Sequence, residues 1–241
     1  MVLGALLWGT IASSSLLVGA AVGVRAPLSQ RMVGLCMGLG GGALISAVSF
    51  ELAADALRRG GAGAVALGLA VGALGFFAGN AGLQRRGAHR RHSPGGTGAG
   101  PAGALALGAL LDGVPESASL GMTLGTGGDV GIALVVAIFL SNVPEALASA
   151  ANMREGGASS GHVLGLWGAI AGTCVAATVA GSALLAGLSG GVVGVILAFA
   201  AGAILAMLAD TMVPEAYGHG GRAVGLLTVL GFALSFLLSE A

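Results

Sequence analysis

Three Val-Pro-Glu tripeptides punctuate this 241-residue chain, each in or at the end of a run of apolar residues. The first stands in Asp112-Gly113-Val114-Pro115-Glu116-Ser117, the second in Ser141-Asn142-Val143-Pro144-Glu145-Ala146, and the third in Met212-Val213-Pro214-Glu215-Ala216. A carboxylate in hydrocarbon costs about 3 kcal/mol on insertion scales, so it persists only where something offsets that cost. Neither of the first two runs contains Lys, Arg or His. A bound cation is therefore the simplest partner.

The spacing supports that chemistry. Asp112 and Glu116 are four residues apart and share a helix face, and Asn142 and Glu145, three apart, share another. Pro115 and Pro144 cannot donate to the carbonyls of Leu111 and Leu140, which are released close to the acids. Kinked helices with freed carbonyls are tolerated at membrane depth where they line a cavity or bind ions. Asp112, Glu116, Asn142 and Glu145 thus describe an oxygen-rich cation site. The bland alternatives are a proline that only kinks its helix and a glutamate that is protonated and bonded to a neighbour. Threefold repetition, with Asp112 and Asp210 near two of the copies, argues for the site.

The elements that must position these residues follow from composition. The chain is 56% hydrophobic and 8% charged, against about 25% charged in soluble domains, which describes an all-α polytopic membrane protein. Candidate spans are 2–24, 32–57, 62–83, 104–124, 130–153, 163–188, 192–217 and 223–238, near the roughly 20 apolar residues a crossing needs. A bundle of eight transmembrane helices results, with Pro-kinked fourth and fifth helices and one domain over residues 1–241. Residues 84–103, rich in Arg, His, Pro and Gly, break the apolar pattern and are expected to form a flexible cytoplasmic loop. There His89 and His92 are spaced to catch a metal loosely, or the segment is simply basic and faces anionic lipid.

All ten basic residues are Arg. With the N-terminus outside, Arg25, Arg31, Arg85, Arg86, Arg90, Arg91, Arg154 and Arg222 fall at cytoplasmic loops and only Arg58 and Arg59 outside, a positive-inside bias. The expected location is the cell membrane, with both termini extracytoplasmic. The first run has no basic segment before it and is read as a retained helix rather than a cleaved signal. Zero net charge says nothing of partners; lipid and a divalent metal are expected, nucleic acid is not. Glycines at helical spacing, Gly34, Gly38 and Gly42, and Gly68 and Gly72, let helices approach closely, within one chain or in a homodimer. Cys36 and Cys174 are expected as small core residues. Glu51 and Asp55, four apart near the outer end of the second run, are either solvated beside Arg58 and Arg59 or at an entrance.

The fourth and fifth runs resemble those of the ZIP (Zrt/Irt-like) metal transporters, whose patterns are His-Asn-x-Pro-Glu-Gly and His-Glu-x-Pro-Glu-Gly. Eight spans, outside termini and a His-bearing third loop agree in layout. The resemblance implies uptake of divalent metal, zinc, manganese or iron, toward the cytoplasm, with the metal as substrate and no prosthetic group. It implies a site between helices four and five and movement of one helix group against a scaffold. Glu116 and Glu145 match the family's metal-holding glutamates, and Pro115 and Pro144 its kinks. Asp112 stands for a His, Gly113 for an Asn, Ser141 for a His and Asn142 for an acid, while Ser117 and Ala146 stand for glycines. The family's adjoining second metal position is thereby put in question. Oxygen in place of imidazole favours manganese or ferrous iron, although zinc also accepts carboxylates. Asp210, Glu215 beside Pro214, and His219 resemble a segment lining the metal's route. Met122, one turn beyond Glu116, is a thioether ligand or ordinary packing.

Two other classes compete. An intramembrane aspartyl protease would carry Gly-x-Gly-Asp and Tyr-Asp, and neither occurs; His162 and His219 lie at helix ends, away from a Ser or Cys nucleophile within a span, so no enzyme is expected. A relative that binds metal without moving it, as sensor or scaffold, remains, as does proton-coupled transport through buried acids.

Overall fold

A computed structural model describes residues 2–26, 29–83, 101–125, 131–185 and 188–239. Among these residues the regular structure is helical throughout: α1 (Val2–Arg25), α2 (Gln30–Ala47), α3 (Ala54–Leu83), α4 (Pro101–Gly125), α5 (Ile132–Glu155), α6 (Ser160–Leu184), α7 (Gly190–Met207), α8 (Val213–Gly220) and α9 (Val224–Ser239). The expected loop falls almost wholly outside the described residues, and His89 and His92 with it; only residues 101–103 are described, and they open α4. Among the described residues five stretches are long and apolar enough to cross a membrane: Val2–Arg25, Gln30–Gly82, Ile132–Glu155, Ser160–Leu184 and Gly190–Ser239. Large apolar side chains such as Leu3, Leu74, Phe77 and Leu226 stand exposed, which suits hydrocarbon around the bundle better than water.

The two longest stretches are interrupted in the same way. Val48–Ala53 joins α2 to α3 as a π-helix, and Leu208–Met212 joins α7 to α8 as another. Seven residues into α3, Gly61 adopts φ 72° and ψ 177°; between α8 and α9, Gly221 adopts φ 65° and ψ −154°. Positive φ with extended ψ is open essentially to glycine alone, so these two positions break the helices. The second run accordingly stays helical past Leu57 to the break at Gly61, and the seventh is not one continuous α-helix. Residues 48 and 208, which open the π segments, are 160 positions apart, as are Gly61 and Gly221, Gly34 and Gly194, and Gly42 and Gly202.

Helix pairing follows the same exchange. α1 packs along α5 and α6 along α4; α2 packs along α9 and α3 along α7; α1 and α6 meet each other. Swapping the first three runs for the last three, and α4 for α5, maps each pairing onto its counterpart. Glycine makes the contacts. A Cβ placed on Gly42 would stand 1.9 Å from the Thr228 carbonyl oxygen, and one on Gly231 1.9 Å from that of Leu39, so α2 and α9 touch backbone to backbone. Gly72 meets the Phe199 carbonyl and Gly202 that of Leu69 between α3 and α7; Gly121 meets Thr178 and Gly181 meets Ala118 between α4 and α6. Association in hydrocarbon depends on such packing, because burial of apolar surface gains little there.

Cysteine placement corrects one expectation. Cys174 is buried, but Cys36 is exposed. The α2 row that packs inward runs through Gly34, Met37, Gly38 and Gly41, and Cys36 falls off it.

Candidate cation site

Six elements, α2, α4, α5, α7, the second π segment and α8, line a cavity of about 50 Å³, against an occupied volume of about 10–15 Å³ for one water. It therefore has room for an ion with a few waters. α4 supplies Asp112 and Glu116, one turn apart, with Gly108 a turn earlier. α5 supplies Ser141, Glu145 and Ser149, a row at intervals of four. Thr211 of the second π segment and Glu215 of α8 complete the polar lining, and α2 closes it with Met37.

Glu116 lies deepest. It is 2% exposed, and its Oε2 is buried without a hydrogen-bond partner among the described residues. The Ser141 hydroxyl stands beside the same carboxyl group, while its own proton goes to the Ile138 carbonyl at 3.0 Å. A buried carboxylate oxygen with no donor costs about 1–3 kcal/mol or more and calls for a cation or a proton. Oxygen donors on three sides, with no Lys or Arg among the described lining residues, fit a cation. The acids gather without closing into a shell: among the described residues no three His, Cys, Asp or Glu side chains come close enough together to hold a metal as placed.

Of the residues expected at the site, Asp112, Glu116 and Glu145 share this cavity, and Glu215 joins them from α8. Asn142 is buried but lies outside the lining. The cavity follows the i,i+4 row of α5, so Ser141 takes the place that an i,i+3 relation gave to Asn142. Pro115 and Pro144 sit inside α4 and α5, and Pro214 stands where the second π segment runs on into α8. The Leu140 carbonyl that Pro144 releases lies against Gly40 of α2, 2.6 Å from where a Cβ would stand. Met122 is buried outside the lining. On α6, the Cys174 sulfur fills the notch left by Gly113, 3.0 Å from a Cβ placed there.

The remaining acids do other work. Asp55 pairs with Arg59 at 2.8 Å and Arg58 at 3.4 Å. Both arginines are exposed, so Asp55→Asn should change thermal stability by less than about 1 kcal/mol. Asp210 accepts a hydrogen bond from Asn80 at 2.5 Å, tying the second π segment to α3. His219 Nε2 stands 4.0 Å from Glu215 Oε1, one turn further along α8 and outside the cavity lining.

Glu51 reaches across from the first π segment. Its Oε1 accepts from the Leu134 backbone N–H at 3.2 Å, where the N-cap residue of α5, Gly131, has no side chain to offer. A carboxylate at that end satisfies an orphan donor and the helix dipole together. Glu51→Ala should lower unfolding stability by about 1 kcal/mol, read by thermal melting in detergent. An unchanged melt would remove the capping role.

No family model matches the chain, and no curated protein matches it significantly. Fold and cavity define a helical bundle suited to a membrane, with an acid-lined polar pocket held between its glycine-packed helix pairs.

Proposed function

We propose that the chain is a multi-pass membrane protein that carries divalent metal cations, of the zinc, manganese and iron class, into the cytoplasm, as a divergent relative of the ZIP transporters. The observation that carries this reading is the convergence of Asp112, Glu116, Glu145 and Glu215 on one cavity, with a buried Glu116 oxygen that has no hydrogen-bond partner among the described residues. Eight spans belong to this reading, and the helix breaks support them. Gln30–Gly82 divides at Gly61 and Gly190–Ser239 at Gly221, and α4, with 25 residues, exceeds the roughly 20 that a crossing needs. Pro115 and Pro144 kink the fourth and fifth spans at the cation. Both termini are outside, in the cell membrane.

Alternating exposure of a midplane site needs interrupted helices and repeated halves, and the paired π segments and glycine breaks supply both. The chain departs from the family at Gly113, Ser141 and Asn142, where ligands are lost, so a single metal position remains. Asp112 in place of a His makes that position harder in character. Manganese and ferrous iron should compete with zinc within about tenfold; zinc preferred by orders of magnitude would refute this.

Vesicles loaded with a metal-sensitive dye test the function. Wild-type protein should take up at least one of the three ions, and Glu145→Ala should abolish uptake while the protein still folds. Undiminished uptake would reject the assignment. The open arrangement of the acids favours one second reading, a metal-binding sensor or scaffold that moves nothing. Equilibrium binding without flux in the same preparation would establish it.

A further inference from the structure

Glu51 and Thr211 hold the same place, the fourth residue of the first and of the second π segment. Thr211 lines the cavity together with the acids of α4 and α5. Glu51 instead spans to α5 itself. Its Oε1 accepts from the Leu134 N–H at 3.2 Å, and its Oε2 is buried with no hydrogen-bond partner among the described residues. The carboxyl group fits there because Gly131 has no side chain; a Cβ at that position would collide with Oε2. Along the α2–α5 contact, Met37 and Glu145 stand at the cavity, Gly40 then lies against the Ser141 backbone, and Glu51 beyond the end of α2 meets Leu134. Cavity and carboxylate thus occupy opposite ends of that contact, with a close backbone approach between them. α5 packs with α1, and through it with α6 and α4, whereas the first π segment packs with α2, α3 and α7. The Glu51 bond therefore ties one group of helices to the other on the side away from the cavity.

We propose that Glu51 is a latch: its bond to the α5 terminus holds the two helix groups together on the side opposite the cavity, and it must release before that side can open. This rests on the transport reading above for the need to open both sides, but the latch itself belongs to the ion-free chain. A helix N-terminus suits the task. Leu134 carries one of the donors that the first turn of α5 leaves without an intrahelical partner, and the partial positive charge there attracts a carboxylate. The hold is real but single, since the second oxygen finds no donor among the described residues. Asp210 differs, because its bond to Asn80 joins the second π segment to α3 within one group and survives any movement between the two.

Spin-label distances from pulsed electron paramagnetic resonance test it, on the full chain in lipid nanodiscs with Cys36→Ser and Cys174→Ala. One label replaces Leu57, exposed in the first turn of α3; the other replaces either Ile132, exposed at the start of α5, or Leu184, exposed at the end of α6. Two variants remove the latch from opposite sides: Glu51→Ala deletes the carboxylate, and Gly131→Ala displaces it with a methyl group. Each should raise the population of a longer distance about tenfold on both label pairs, the effect of losing one hydrogen bond to a charged group. Asp55→Asn, which leaves the bond in place, should match the wild type. Unchanged distances overturn the proposal, and so does a change confined to the Ile132 pair, which marks fraying of the α5 end. If both pairs lengthen but vesicles take up no ion, the latch stands and transport fails; if uptake is normal and neither pair responds, transport stands and the latch fails.

Discussion

Glu116→Gln is expected to reduce cation uptake a hundredfold or more while leaving the melting temperature unchanged or raised. The amide keeps the shape of the carboxyl group and removes its charge. Uncompensating a buried charge pair costs about 3–5 kcal/mol, and each decade of affinity is worth about 1.4 kcal/mol, so the cation loses at least two decades. Stability moves the other way. In the ion-free protein the Glu116 carboxylate is buried, with Oε2 lacking a donor and Asp112 in the same lining. A neutral side chain relieves both costs. Most buried substitutions destabilise; one that abolishes activity and does not lower the melt marks a site held against the preference of the fold. Uptake in vesicles and melting in detergent, measured on one preparation, check both halves. A variant that loses activity by unfolding would count against the reading.

The second large effect lies in the helix contacts. Gly42→Ala and Gly121→Ala should each destabilise the bundle by about 1–3 kcal/mol or more, the cost of overpacking a tight interior. Their new methyl groups would stand 1.9 Å from the carbonyl oxygens of Thr228 and Thr178. Backbone cannot step aside as a flexible side chain does, so the helix pairs must separate. Gly172→Ala on α6 is the control, since nothing lies within 4 Å of its Cβ position. It should be neutral or gain about 1 kcal/mol from helix propensity. Equal melts for all three variants would mean that the close approach carries no weight.

Much of the helical layout is legible in the residues. Apolar run length gives the helical, membrane-suited character of the chain, and the glycine rows at 34, 38 and 42 and at 68 and 72 face neighbouring helices as their spacing implies. What the runs hide is direction. Where lipid and core are both apolar, hydrophobic periodicity fades, and nothing in the pattern tells Cys36 from Met37 or Asn142 from Ser141. One residue on a helix turns a side chain by about 100°, enough to move Asn142 off the lining. The π segments hide for a related reason: a wider turn shifts register without changing composition, so Thr211 and Glu215 come to the cavity from a stretch that reads as a plain seventh helix. The third Val-Pro-Glu was the available signal. Its acid belongs with the other two at the cavity, where the family resemblance alone made it part of a route.

Glu51 shows the opposite case, an acid whose chemistry is legible and whose job is not. Nothing local reveals that its partner is the α5 terminus, 83 positions away.

The central claim is that one cation sits among the carboxylates of α4, α5 and α8. A crystal structure of manganese-loaded protein, with anomalous data collected at the manganese edge, examines it directly. The account predicts one anomalous peak in the cavity, with oxygens of Asp112, Glu116 and Glu145 drawn in around it to within about 2.5 Å. A loaded crystal with its peak elsewhere, or with those three carboxylates still apart, would contradict it.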